Sequence, residues 1–166
     1  MRMVLTPGGR RRLSERLAAV RAELDAVVAD MPAALESGDT SGWHDNFAFE
    51  DNQRRQHQLA HRVRELERIL DQSETIPPWG RVPDRAWVGA AVTYQDADDP
   101  AESARTIWLA GCGDGDPTNG RVSYDSPLGR ALLGAAEGEV RTVHVGGVSR
   151  SLEVLELGPT PAGEER

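Results

Sequence analysis

A chain of 166 residues is long enough for one or two small domains and no more. Its 27 acidic residues outnumber the 19 basic ones, for a formal charge of −8. That balance argues against general nucleic-acid binding, which needs clustered cations to neutralise phosphates, and makes a protein partner the first expectation. Aromatic residues are only 5% of the chain, so any core has to be mostly aliphatic.

The first predicted element is a long helix. Leu13, Leu17, Val20, Leu24, Val27 and Met31 recur by fours and threes, the a/d seam of a helix that buries its stripe against a partner helix. Thr6, Pro7, Gly8 and Gly9 mark its approach, Pro32 is expected to interrupt and kink it, and Gly38 reads as its C-terminal cap. A second seam runs back from Leu70 through Leu66, Val63 and Leu59, and extrapolates to Gln56, Asn52, Phe49 and Asp45. It is apolar near its C-terminal end and polar towards the turn. Two helices of similar length joined by a short turn pair antiparallel. At ~1.5 Å rise per residue, arms of about 27 residues reach roughly 40 Å.

The expected organisation is α+β. An antiparallel helical coiled-coil hairpin occupies residues 1–74, with an acidic tip at 36–51. A Pro/Gly-rich linker covers 75–86, a small antiparallel-sheet domain with one short helix covers 87–158, and a disordered tail covers 159–166. The strands are read at Trp87 to Tyr94, Arg105 to Ala110, Arg121 to Tyr124, Glu139 to Val145 and Arg150 to Leu157. Ser126 is a suitable N-cap, Pro127 a suitable first helical residue, and Gly134 closes the short helix.

The tip is the most informative stretch. Glu36, Asp39, Asp45, Glu50 and Asp51 fall there with no arginine among them. Such a cluster is costly unless it meets cations or stays solvated. Hard oxygen donors on a turn suit a magnesium ion held incompletely, with the rest of its shell supplied by another molecule. The same acids also read as turn and capping groups, with Asp39 following the first helix and Asp45 capping the second. Trp43 either packs across the tip or touches a partner.

Other clusters carry less. Arg10, Arg11, Arg12 and Arg16, and again Arg54, Arg55, Arg62 and Arg64, read as solvated faces or as contacts to an RNA end or an acidic channel wall. His57 and His61 have metal-sharing spacing but lie off the apolar seam, which favours a solvated face. Asp114 to Asp125 is read as a polar interstrand loop, a poor calcium loop because its sixth position is Asn119. The single cysteine, Cys112, excludes an intramolecular disulfide and a cysteine-rich zinc site, and is expected to be a buried or incidental thiol. No signal peptide and no membrane span are read, so a cytoplasmic location is expected.

Two stretches together resemble the Gre family of bacterial transcript-cleavage factors. Gly38-Asp39, followed by Asp45-Asn46-Phe47-Ala48-Phe49, is similar to the family's Gly-Asp-x-x-Glu-Asn-Ala-(Glu/Asp)-Tyr tip. Ser126-Pro127-Leu128-Gly129-Arg130-Ala131-Leu132-Leu133-Gly134, with the strands after it, is similar to a segment of the family's FKBP-like C-terminal domain. The resemblance implies a monomeric accessory factor that binds RNA polymerase at its secondary channel and is not an enzyme by itself. Asp39 and Asp45, with Asn46 beside the second, match the acids that share a magnesium ion with the polymerase. The nascent RNA 3′ end is met only indirectly, when a backtracked transcript is cleaved. No cofactor is expected on the chain alone. Asp125, Ser126 and Pro127 match the segment that docks on the channel rim. Five residues separate Asp39 from Asp45 where the family has two, and Trp43 is one of them. That longer tip also suits a channel-occupying regulator that does not cleave. A generic protein-interaction module and, more distantly, a free metal-dependent hydrolase complete the alternatives.

Overall fold

The computed structural model describes residues 3–36, 47–77, 80–99 and 103–160. The chain divides into two compact units, Leu13–Asp71 and Met1–Arg12 together with Gln72–Arg166.

The first unit holds most of two helices, α1 (Pro7–Glu36) and α2 (Phe47–Gln72). On α1 the expected seam is the buried one from Leu13 to Val27: Leu13, Leu17 and Val27 are buried, and Val20 and Leu24 are half-buried between them, while the Met31 side chain lies outside the described ones. On α2 Leu66 is buried, while Leu59, Val63, Gln56, Asn52 and Phe49 are half-buried. The deepest neighbour of Leu66 in sequence is Ile69, 4% exposed, whereas Leu70 is only half-buried. The strict four-and-three spacing therefore chose the wrong one of two adjacent apolar residues. Two ion pairs join the helices, Arg21–Glu67 and Arg55–Glu23, each at 2.6 Å. Position 21 meets 67 and position 23 meets 55, an antiparallel arrangement. All four side chains are well exposed, so these pairs contribute at most about 1 kcal/mol each and serve register more than stability. The helix α1 continues through Pro32 to Glu36, so the expected interruption does not end it. The Gly38 cap lies outside the described residues.

The second unit begins with a feature that sequence reading missed. Strand β1 (Met3–Leu5) pairs in parallel with β2 (Ser73–Thr75), Met3 opposite Ser73 and Leu5 opposite Thr75. Thr6, fully buried, then starts α1 by accepting the Gly9 N–H at 3.0 Å on its side-chain oxygen, and Pro7 is the first helical residue. Arg10 ties the same turn to the strand pair through Thr75 Oγ1 at 2.7 Å and the Ser73 carbonyl at 2.8 Å.

The main sheet contains β3 (Ala91–Asp96), β4 (Arg105–Ala110), β5 (Arg121–Ser123), β6 (Val140–Val145) and β7 (Val148–Gly158), in the order β5-β4-β3-β7-β6. It is antiparallel except where β5 runs parallel to β4, with Leu109 opposite Val122. The antiparallel expectation departs at this one edge, because residues 111–120 carry the chain back only far enough to set Arg121 opposite Trp108 in the second half of β4. They include a short 3₁₀ turn at Pro117–Asn119. Strand β3, read from Trp87, starts later than expected, at Ala91. Gly89 takes a φ of 93°, so residues 87–90 make a turn rather than a strand, although Gly89 N–H still donates to the Leu109 carbonyl at 2.7 Å.

One short helix, α3 (Pro127–Leu132), supplies Leu132 to a core of Val92, Leu109, Val143, Leu152, Val154 and Leu157. The core residues of β7 alternate at 152 and 154 and then step by three to 157. A bulge opposite Thr93 and Tyr94 causes this, inserting Leu155 as an extra residue and resetting which face points inward. Ala86, expected to end the linker, is fully buried and exchanges backbone hydrogen bonds with Ala135 and Gly134.

Candidate functional site

Asp39, Trp43, Asp45 and Asn46 lie outside the described residues. At the flanks, Glu50 and Asp51 sit exposed in the first turns of α2, where Asp51 pairs with Arg54 at 3.3 Å. Among the described residues, no cluster of three or more His, Cys, Asp or Glu side chains is arranged to hold a metal ion. His57 and His61 are both exposed.

The second candidate segment is fully described. Strand β5 ends at Ser123 and α3 begins at Pro127, leaving Tyr124, Asp125 and Ser126 as the link. Ser126 caps α3: its backbone is extended, and its side-chain oxygen accepts the Gly129 N–H at 3.0 Å. Pro127 occupies the first helical position, as its spacing predicted, and is exposed. Glycine is required at 129, because a Cβ there would lie 2.1 Å from the Ser123 carbonyl oxygen and 2.7 Å from the Tyr124 Cα. That approach seats the helix directly on the link and fixes where Asp125 to Pro127 emerge.

Asp125 is exposed, yet its carboxylate is gripped from within. Cys112 Sγ–H donates to Oδ2 at 3.1 Å, and the Ser123 hydroxyl lies against Oδ1. Tyr124 is buried beside them. Burial pushes its phenol above the usual range, and the Cys112 sulfur adds to that push. Cys112 is therefore the buried thiol expected, but it acts as a hydrogen-bond donor to the candidate docking acid. A shallow depression next to Pro127 is lined by Arg130, Ala131, Thr142 and His144. Sequence reading did not find Thr142 and His144 there, because they come from β6 and no local pattern ties them to α3.

The basic and acidic clusters largely satisfy one another. Arg12 binds Asp114 with both arms, Nε to Oδ1 at 2.9 Å and a terminal nitrogen to Oδ2 at 2.6 Å. Its guanidinium also lies 5.3 Å from the centre of the Trp108 ring. Asp116 is held below the usual carboxylate range chiefly by hydrogen bonds from the Asn119 and Thr118 side chains, with Arg121 at 2.7 Å assisting. The loop is thus an internally paired turn. Arg62 pairs with Glu65 at 2.6 Å on its own helix.

Two family models match. One described as "Transcription elongation factor, N-terminal" covers residues 3–74, and one described as "Transcription elongation factor, GreA/GreB, C-term" covers residues 81–159. A protein of Chloroflexus aurantiacus named transcription elongation factor GreA is 34% identical over 154 residues, 92% of this chain and 95% of that protein. Another of the same name, from Brucella anthropi, is 32% identical over the same shares of the two chains. Among solved structures, GreA factor homolog 1 of Thermus thermophilus aligns with 95% of this chain and 99% of its own, at 21% identity and a TM-score of 0.45.

Proposed function

The chain belongs to the GreA/GreB family of transcription elongation factors, and from that membership we propose that it inserts its acidic hairpin tip into the secondary channel of a bacterial RNA polymerase and stimulates cleavage of backtracked transcripts. The observation that carries this reading is the pair of family matches, in order, over residues 3–74 and 81–159. The partner is RNA polymerase, which the proposed role places in the cytoplasm. Among the described residues no helix is long and apolar enough to cross a membrane.

The family's members are elongation factors rather than enzymes on their own, so the hydrolytic centre in this reading is the polymerase's. Asp39 and Asp45 provide carboxylate oxygens at the tip, a donor set that suits magnesium, and Asn46 lies next to Asp45 in sequence. A magnesium ion shared with the polymerase supplies activated water for phosphodiester hydrolysis when bound there. The tip acids' own part is to bring negative oxygen to that centre and to hold it beside the RNA 3′ end.

Docking is assigned to the Asp125–Pro127 link. The firmly seated α3 and the exposed Pro127 give a rigid, presented edge, and rigid presentation limits the ordering cost of binding. The Asp125→Ala, Pro127→Ala double variant is expected to lose about ten-fold in affinity for the cognate core polymerase, with its melting temperature unchanged. Affinity equal to wild type, measured by fluorescence anisotropy, would remove this segment from the interface.

The five residues between Asp39 and Asp45, Trp43 among them, favour a second reading with the same docking. In that reading the tip fills the channel and does not promote hydrolysis.

A further inference from the structure

We propose that Cys112 and Ser123 are positioning residues that orient the Asp125 carboxylate as a two-oxygen acceptor for a guanidinium group on the partner. The inference rests on the docking role proposed above and names the chemistry of that contact. An exposed aspartate ordinarily rotates about both side-chain bonds, and fixing it on binding costs free energy. Asp125 is already fixed, because its two oxygens are held by two different side chains.

The holders are themselves anchored. Cys112 is 8% exposed, and its backbone N–H donates to the Val4 carbonyl at 3.2 Å. Ser123 ends β5 and is 9% exposed, and its hydroxyl also lies 2.8 Å from the Gly111 carbonyl. A hydroxyl has one proton, so Ser123 donates to Gly111 or to Asp125 at any moment and not to both.

The backbone of the link is equally set. Tyr124 N–H donates to the Ala110 carbonyl at 3.0 Å, and Ser126 N–H donates to the Ser123 carbonyl at 3.0 Å. Each carboxylate oxygen accepts up to two hydrogen bonds, so at most one inward donor apiece leaves capacity on both for an outside donor. Two parallel acceptors on a fixed plane match the planar fork of arginine better than the point charge of lysine.

The experiment measures binding of the full-length chain to the cognate core polymerase, with thermal melting run on every variant. Cys112→Ala is expected to weaken docking about five-fold, the cost of ordering on binding a carboxylate that is no longer held beforehand. Cys112→Ser, which restores a donor, is expected to bind at least as tightly as wild type. In an Asp125→Ala background, Cys112→Ala is expected to cause no further loss, since its effect passes through that carboxylate. The proposal is overturned if Cys112→Ala binds like wild type, if Cys112→Ser is as weak as Cys112→Ala, or if the Cys112→Ala loss persists undiminished without Asp125. Undiminished docking by Asp125→Ala alone would overturn the docking reading as well.

Discussion

Arg12→Ala is expected to destabilise the sheet-bearing unit by about 3 kcal/mol, the largest stability effect of any single substitution considered. The reason lies in what the substitution strands. The Asp114 side chain is only 4% exposed, and its carboxylate is bound at both oxygens by one guanidinium. Removing Arg12 leaves that carboxylate buried without its counter-charge, and it also takes the cation from beside the Trp108 ring. The neighbourhood has no slack to absorb the change. Gly9 passes so near that a Cβ there would lie 2.8 Å from Asp114 Oδ2.

Arg12→Lys is expected to recover only part of the loss, because an ammonium cannot reproduce the fork. Replacing both partners with apolar residues of similar size is expected to cost less than Arg12→Ala, since the buried pair carries its own desolvation penalty. Thermal melting checks all three. An Arg12→Ala midpoint within about 2 °C of wild type would contradict the assigned role of the pair.

The second large effect concerns the tip. The Asp39→Ala, Asp45→Ala double variant is expected to lose about a hundred-fold in the rate of transcript cleavage if, as proposed, both acids help to hold the shared magnesium ion. Affinity for the polymerase is expected to stay within about two-fold, because the docking contacts are assigned to residues 125–127. Loss of affinity in step with cleavage would mean that the tip acids bind rather than assist hydrolysis. Full cleavage by the double variant would remove them from the chemistry. Abolition by Trp43→Ala, with both acids dispensable, would support the channel-filling reading.

What was legible in the sequence follows the range of the interactions. The seam of Leu13, Leu17, Val20, Leu24 and Val27 was readable because helical burial repeats within a turn. The Ser126 cap and the Pro127 start were readable for the same reason, since Ser126 Oγ meets the N–H only three residues on. Strand β4 was read at its observed bounds, Arg105–Ala110. The parallel pairing of β1 with β2 was not readable, because its partners stand 70 residues apart and each strand is three residues long. Arg12 looked like one of a basic run until its partner, 102 residues away, was seen.

The same holds at the site. Asp125 was named from its motif, whereas its holder Cys112, 13 residues earlier, read only as a buried or incidental thiol. The parallel direction of β5 depends on how far the chain returns through residues 111–120, which composition does not encode.

Cleavage by the unaltered protein tests the central claim most directly. An elongation complex of the cognate polymerase is halted and backtracked, the full-length chain is added with magnesium, and the RNA 3′ end is followed over time. Rapid shortening, beyond the polymerase's intrinsic rate, is the predicted result. Saturating binding with no shortening would contradict it and make the protein a factor that occupies the channel without promoting hydrolysis.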